Sequence, residues 1–141
     1  MATAEPWELR PYEGAGPLRF GMSRDQVIEL LGQPEVVIHR EPFLVEAIGD
    51  VHPEYGRDGR LVGFVTAGSA LAWHGITLTE RPVSEVEHDL TAAGVAYEPD
   101  EDGPVVSSLG IEIYAPDDED YEPRRVQGVL VKSREYDAAD E

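Results

Sequence analysis

The 141-residue chain predicts an α+β fold: two tandem helix–antiparallel-sheet units that share one sheet, with both helices packed on one face. Three observations carry this. Residues 23–34 spell a short helix with both ends marked, residues 82–94 repeat an amphipathic helical pattern, and β-branched runs broken by turn residues follow each. The helix–sheet pattern recurs with a period of about sixty residues. The expected organisation is an N-terminal arm over 1–15, a first unit over 16–75, a second over 76–133 and a flexible tail over 134–141.

In the arm, Trp7 and Tyr12 stand among Pro6, Pro11 and Gly14, a spacing that argues against a helix. Its aromatics are expected to pack on the sheet or to mark a contact surface. Leu18 and Phe20 then lead into the first helix. Ser23 is its N-cap, Gln26 returns the bond as in a capping box, and Met22 and Val27 suit a hydrophobic staple. Gly32 supplies the left-handed residue after the last turn, and Pro34 forbids resumption. Val27, Leu30 and Leu31 form the apolar stripe, widened by Ile28, while Arg24, Asp25 and Glu29 face water.

Glu35 to Arg40 is β-branched and reads as a strand, with Phe43 to Ile48 a weaker continuation. Val51 to Tyr55 follows, and Pro53 places it at an edge or bulge. Asp58-Gly59 within Gly56–Gly59 favours a type I′ hairpin turn into the strand Leu61 to Ala67. Ala70 to Gly75 reads as a connector, and Ile76-Thr77-Leu78 leads to the second helix. There Pro82 suits the first helical position, and Val83, Val86, Leu90 and Ala93 make a stripe ended by Gly94. Val95-Ala96-Tyr97 leads to the acidic turn Asp100–Gly103, then to strands over 104–109 and 110–115, a charged loop over 116–125 and a last strand over 126–132.

Gly21-Met22-Ser23 followed by Val27-x-x-Leu30-Leu31-Gly32-x-Pro34 resembles the signature of the small outer-membrane assembly lipoproteins (the SmpA/OmlA, or BamE, group) and of the β-lactamase-inhibitor-protein-like fold. The motif covers residues 20–34, and the architecture extends the resemblance to about residues 16–133. It implies short helices followed by antiparallel sheet, and, as in the inhibitor proteins, two units in tandem whose open concave sheet face grips another protein. The lipoproteins need a lipidated cysteine and the secreted inhibitors carry disulfides. This chain has no cysteine, so outer-membrane assembly and extracellular inhibition are not carried over.

The net charge is −18, and it is uneven: residues 1–79 hold 11 acids and 6 bases, residues 80–141 hold 18 acids and 5 bases. Such a field repels nucleic-acid phosphate and anionic lipid and steers basic partners inward. No run of apolar residues is long enough to span a bilayer, and the first residues show no basic and apolar leader pattern. The absence of cysteine excludes disulfides, thiolate catalysis and Cys-ligated zinc and suits a reducing compartment, so a cytoplasmic location is expected.

Catalytic motifs are missing. His39, His52, His74 and His88 show no metal spacing, although Glu85 and His88 share a helix face. Glu98-x-Asp100-x-Asp102-Gly103 resembles half a calcium loop, but Leu109 occupies its closing position, so it reads as an acidic hairpin turn. The serines form no nucleophile elbow, and aromatic and basic residues are too sparse for a nucleic-acid platform.

The expected function is therefore non-enzymatic: a protein-binding module, of inhibitor or immunity type, that sets a sheet face and acidic loops against a basic protein. The contact residues expected are Trp7, Trp73, Tyr97, Tyr114 and Tyr121 beside Asp117, Asp118, Glu119 and Asp120. Neither cofactor nor metal is expected, and the chain is read as a monomer or an edge-paired homodimer. The alternative is a small-ligand or divalent-cation module using Asp100, Asp102, Asp117, Asp118 and Asp120. A third reading, an enzyme with acid and base drawn from Glu46, Glu54 and Glu112, requires those carboxylates to converge.

Overall fold

The computed structural model describes residues 7–40, 43–66, 70–116 and 125–136. Its larger sheet starts from four consecutive antiparallel strands: β4 (Val36–Arg40), β5 (Phe43–Ala47), β6 (Val51–Tyr55) and β7 (Leu61–Thr66). β12 (Gly128–Lys132) pairs with β7, and β11 (Ile111–Tyr114) and β10 (Val105–Val106) follow outward. The order is β10-β11-β12-β7-β6-β5-β4, so strands that follow each helix lie in this sheet.

Register decides the two faces. Ile111, Val131, Phe64 and Pro53 stand in one cross-strand row, and Ile113, Val129, Thr66 and Val51 in the next on the same face. All eight are buried. Since successive side chains alternate, the row Glu112, Leu130, Val65 and His52 belongs to the other face, where all four are half-buried. Each large apolar side chain on the first face contributes roughly 1.5–3 kcal/mol by leaving water.

The α+β class holds, but where one sheet is expected the chain forms two. The second contains β1 (Trp7–Arg10), β2 (Gly14–Ala15), β3 (Leu18–Arg19), β8 (Leu71–Trp73) and β9 (Ile76–Thr77), ordered β3-β2-β1-β8-β9. Its centre is the parallel pairing of Trp7 with Leu71 and Glu8 with Ala72, which joins segments far apart in the chain and leaves no periodic trace in either. The arm thus contributes β1 and β2. The stretch read as a connector is a hairpin whose two turn residues, His74 (φ 47°) and Gly75 (φ 83°), both have the positive φ of a type I′ turn. The Gly56–Gly59 hairpin forms as expected but is not type I′: only Gly59 has positive φ, and its N–H donates to the Gly56 carbonyl at 2.9 Å.

α1 (Arg24–Leu31) carries its capping box in full: Gln26 N–H donates to Ser23 Oγ at 3.2 Å, and Ser23 N–H to Gln26 Oε1 at 2.9 Å. Its seat is narrower than the expected stripe. Val27 is fully buried and Leu31 packs partly on the core, but Leu30 is 49 % exposed, beyond the surface the helix covers. α2 (Val83–Ala92) buries Val83, Val86 and Leu90; Pro82 is its N-cap and not its first residue, and Ala93 is exposed. Val95 N–H donates to the Leu90 carbonyl and Gly94 N–H to that of Thr91, the paired bonds that close a helix through a left-handed glycine. The run 104–109 forms only β10 before it turns into a 3₁₀ segment, Ser107–Leu109, ended by left-handed Gly110.

One core joins these parts: Leu9, Leu18 and Leu71 from the smaller sheet meet Phe64 and Ile111 from the larger, with Val27 of α1 and Val86 and Leu90 of α2. Within the expected tail, Tyr136 is buried, and a methyl group on Gly63 would meet its ring at 2.7 Å. Among the described residues no helix is long and apolar enough to cross a membrane.

Candidate functional site

The face of the larger sheet that bears Glu112, Leu130 and Val65 is covered at β6 and β7 by Tyr136, over Glu54 and Gly63, and carries a groove at its β10–β12 end. Residues 98–105 fold into a small hairpin, with reciprocal Glu98–Val105 backbone bonds of 2.8 Å and a turn in which Gly103 N–H donates to the Asp100 carbonyl. Gly103 sits at φ 138°, and a Cβ there would lie 2.0 Å from the Ile113 carbonyl oxygen, so only glycine permits this approach. Ala115 N–H donates to the Asp102 carbonyl at 2.6 Å, fastening the turn to the end of β11. Two aspartates that sequence places in a loop are thereby held over a sheet.

The groove beneath has a volume of about 400 Å³. Val65, Val105 and Leu130 give it an apolar floor, Tyr114 and Gln127 line it, and Asp100, Asp102 and Glu112 bring acid to it. Tyr114 is 46 % exposed. Glu112 is ion-paired to Lys132 at 2.8 Å, while Asp100 and Asp102 are exposed. An apolar floor beneath carboxylates suits a Lys or Arg side chain, whose stem packs on aliphatic carbon while its head meets the acids. A larger hollow of about 720 Å³ lies between Tyr12, Phe20 and the β6–β7 hairpin. It mixes Arg57 and Arg60 with Glu13, Asp58 and Glu135 and so selects neither charge.

Two carboxylates are buried elsewhere in this sheet. Glu46 is wholly buried and accepts a bidentate pair from Arg24, Nε and Nη2 both at 2.8 Å, which pushes the guanidinium pKa further up. Arg24 is exposed, as expected, at 45 % of its side chain, and its guanidinium also reaches the sheet. The Tyr55 hydroxyl is buried beside that carboxylate without meeting it at hydrogen-bond geometry, and burial, then the Glu46 charge, push its pKa well above the phenol range. Glu54, 2 % exposed, accepts from the Tyr136 hydroxyl at 3.0 Å. Because Val45 opposes Glu54, the neighbouring Glu46 points to the other face. Glu112 shares a face with Glu54 but stands three strands away, roughly 14 Å. The three carboxylates named for acid–base work do not converge.

Of the expected contact residues that are described, Tyr114 lines this groove, and Trp7, Trp73 and Tyr97 do not. Trp7 lies edge-on to Phe64 with ring centroids 6.3 Å apart, and Trp73 and Tyr97 are also partly buried against the core. Tyr121, Asp117, Asp118, Glu119 and Asp120 fall outside the described residues. Glu85 pairs with Arg81 at 3.3 Å, and among the described residues no three His, Asp or Glu side chains cluster to hold a metal ion. The floor residues Val65 and Leu130 escaped the sequence reading. Their alternation was visible, but not which face joins the core.

Fold and groove together define the class: an α+β protein with two sheets, the larger of which bears a groove lined by Asp100, Asp102 and Glu112. Compared with protein-family models, curated proteins and solved structures, the chain matches none.

Proposed function

We propose that this chain is a non-enzymatic protein-binding module, of inhibitor or immunity type, whose sheet face receives a basic partner in the cytoplasm. The observation that carries the reading is the groove: an apolar floor, an exposed Tyr114 and two exposed aspartates on a chain of net charge −18. Aromatic anchors next to charge are what protein interfaces concentrate energy in, and a field of one sign raises encounter rates with the opposite sign. The resemblance of residues 20–34 to the β-lactamase-inhibitor-protein-like and BamE-like group supports the same reading, including two tandem units that grip a partner by a sheet face.

The test immobilises the full chain, exposes it to lysate of the native host at low and high salt, and identifies bound proteins by mass. A basic protein held at low salt, released at high salt and lost on D100N/D102N is the expected result. Retention by the double variant equal to that by the wild type would remove the groove from the interface. The groove volume also lies within the range of small-molecule pockets, which favours a second reading, a small cationic ligand with an apolar body. A thermal-shift screen with such compounds separates the two.

A further inference from the structure

We infer that the chain pairs with a second copy of itself through β4, centred on Val37. β4 ends the larger sheet, and among the described residues nothing pairs with its outer edge. Its apolar residues are unusually bare: Val36 is 51 %, Val37 44 % and Ile38 49 % exposed. Three of its five residues are apolar and adjacent, no proline interrupts them, and the charged Arg40 stands at one end, so the run Val36–Ile38 is a template for another strand.

The sequence of the edge says which strand fits. In an antiparallel pair related by a two-fold axis at Val37, Val37 opposes its own counterpart, Val36 opposes Ile38, and Glu35 opposes His39. Directly opposed Cβ atoms stand about 4.5–5.5 Å apart, so apolar meets apolar at the centre and an imidazole N–H can donate to a carboxylate at each end. Centres on Val36 or Ile38 would set Glu35 or His39 against an apolar side chain. Glu35 and His39 are both exposed. The interface is isologous, and each edge is consumed by the other, so the pairing closes at two copies.

Two copies of charge −18 repel at long range, so salt strengthens this association while it weakens the capture of a basic partner. Sedimentation equilibrium on the full chain, taken to about 100 μM at low and high salt, is the test, since a single edge buries less area than a tight interface needs. The expected result is a reversible dimer, tighter at high salt. V37K sets two ammonium groups face to face and weakens it by about tenfold or more. H39E opposes two carboxylates at each end and weakens it several-fold, and E35K/H39E restores it; both change only exposed side chains. A monomer at every concentration, a dimer indifferent to V37K, or no rescue by the double variant would each overturn the assignment.

Discussion

At its β10 end the seven-stranded sheet stops in a strand of two residues, with Glu98 bridged to Val105 and the acidic hairpin folded over the face. At its β4 end it stops in five residues, three of them apolar and about half exposed. The first edge is too short and too occupied to accept a strand, so that end offers its face. The second, among the described residues, leaves its outer backbone unpaired. Each end has its own fastening: the β10 end depends on a glycine that lets a turn touch β11, and the β4 end on an ion pair that ties α1 to β5.

Removing the ion pair is the strongest way to break this contrast. Arg24→Ala leaves wholly buried Glu46 without its cation; breaking a buried pair costs about 3–5 kcal/mol, and the half-exposed arginine places this loss near 3 kcal/mol. Urea denaturation measures it, and a loss below about 1 kcal/mol would show that the β4 end does not lean on the pair. At the opposite end Gly103→Ala must force the Asp100–Gly103 turn off Ile113. The expected loss is about 2 kcal/mol, with faster hydrogen exchange confined to residues 98–115 and weaker partner capture; unchanged exchange there would mean the turn is not held by this approach.

The smallest effect sharpens the contrast through pH. Tyr55 keeps its proton more tightly folded than unfolded, so the stability it contributes is complete below the ordinary phenol value of about 10 and falls as pH rises past it, because the unfolded chain releases the proton first. Tyr55→Phe should flatten that alkaline fall in melting temperature. Near pH 7 it should change stability by less than about 1 kcal/mol, since it deletes a buried hydroxyl with no hydrogen bond. An alkaline fall as steep in the variant as in the wild type would assign it to another group.

Legibility followed chain distance. The capping box of Ser23 and Gln26, the glycine that closes α2 and the acidic turn at 100–103 are each decided within a few residues, and each appears in the structure as read. Leu30 shows where local reading fails: periodicity marks a helix's apolar side but not how far its neighbour extends. Glu46 and Glu54 were visible as strand carboxylates, yet nothing local shows that one meets Arg24 and the other Tyr136, 82 residues away. Tyr136 lies in a polar stretch that composition marks as frayed, and its ring against Gly63 and its hydroxyl on Glu54 anchor it.

The sequence by itself determined the two helices, the strands β4 to β7, β11 and β12, the α+β class, the capped start of α1 and the net charge, because capping, turn geometry, periodicity and net charge are properties of neighbouring residues or of their sum. Only the tertiary structure decided that β1 pairs with β8 to make a second sheet, which face of the larger sheet joins the core, and that Asp100 and Asp102 line one groove with Val65 and Leu130. Those outcomes depend on register and on contacts between distant segments, where a shift of one residue exchanges the two faces of a strand.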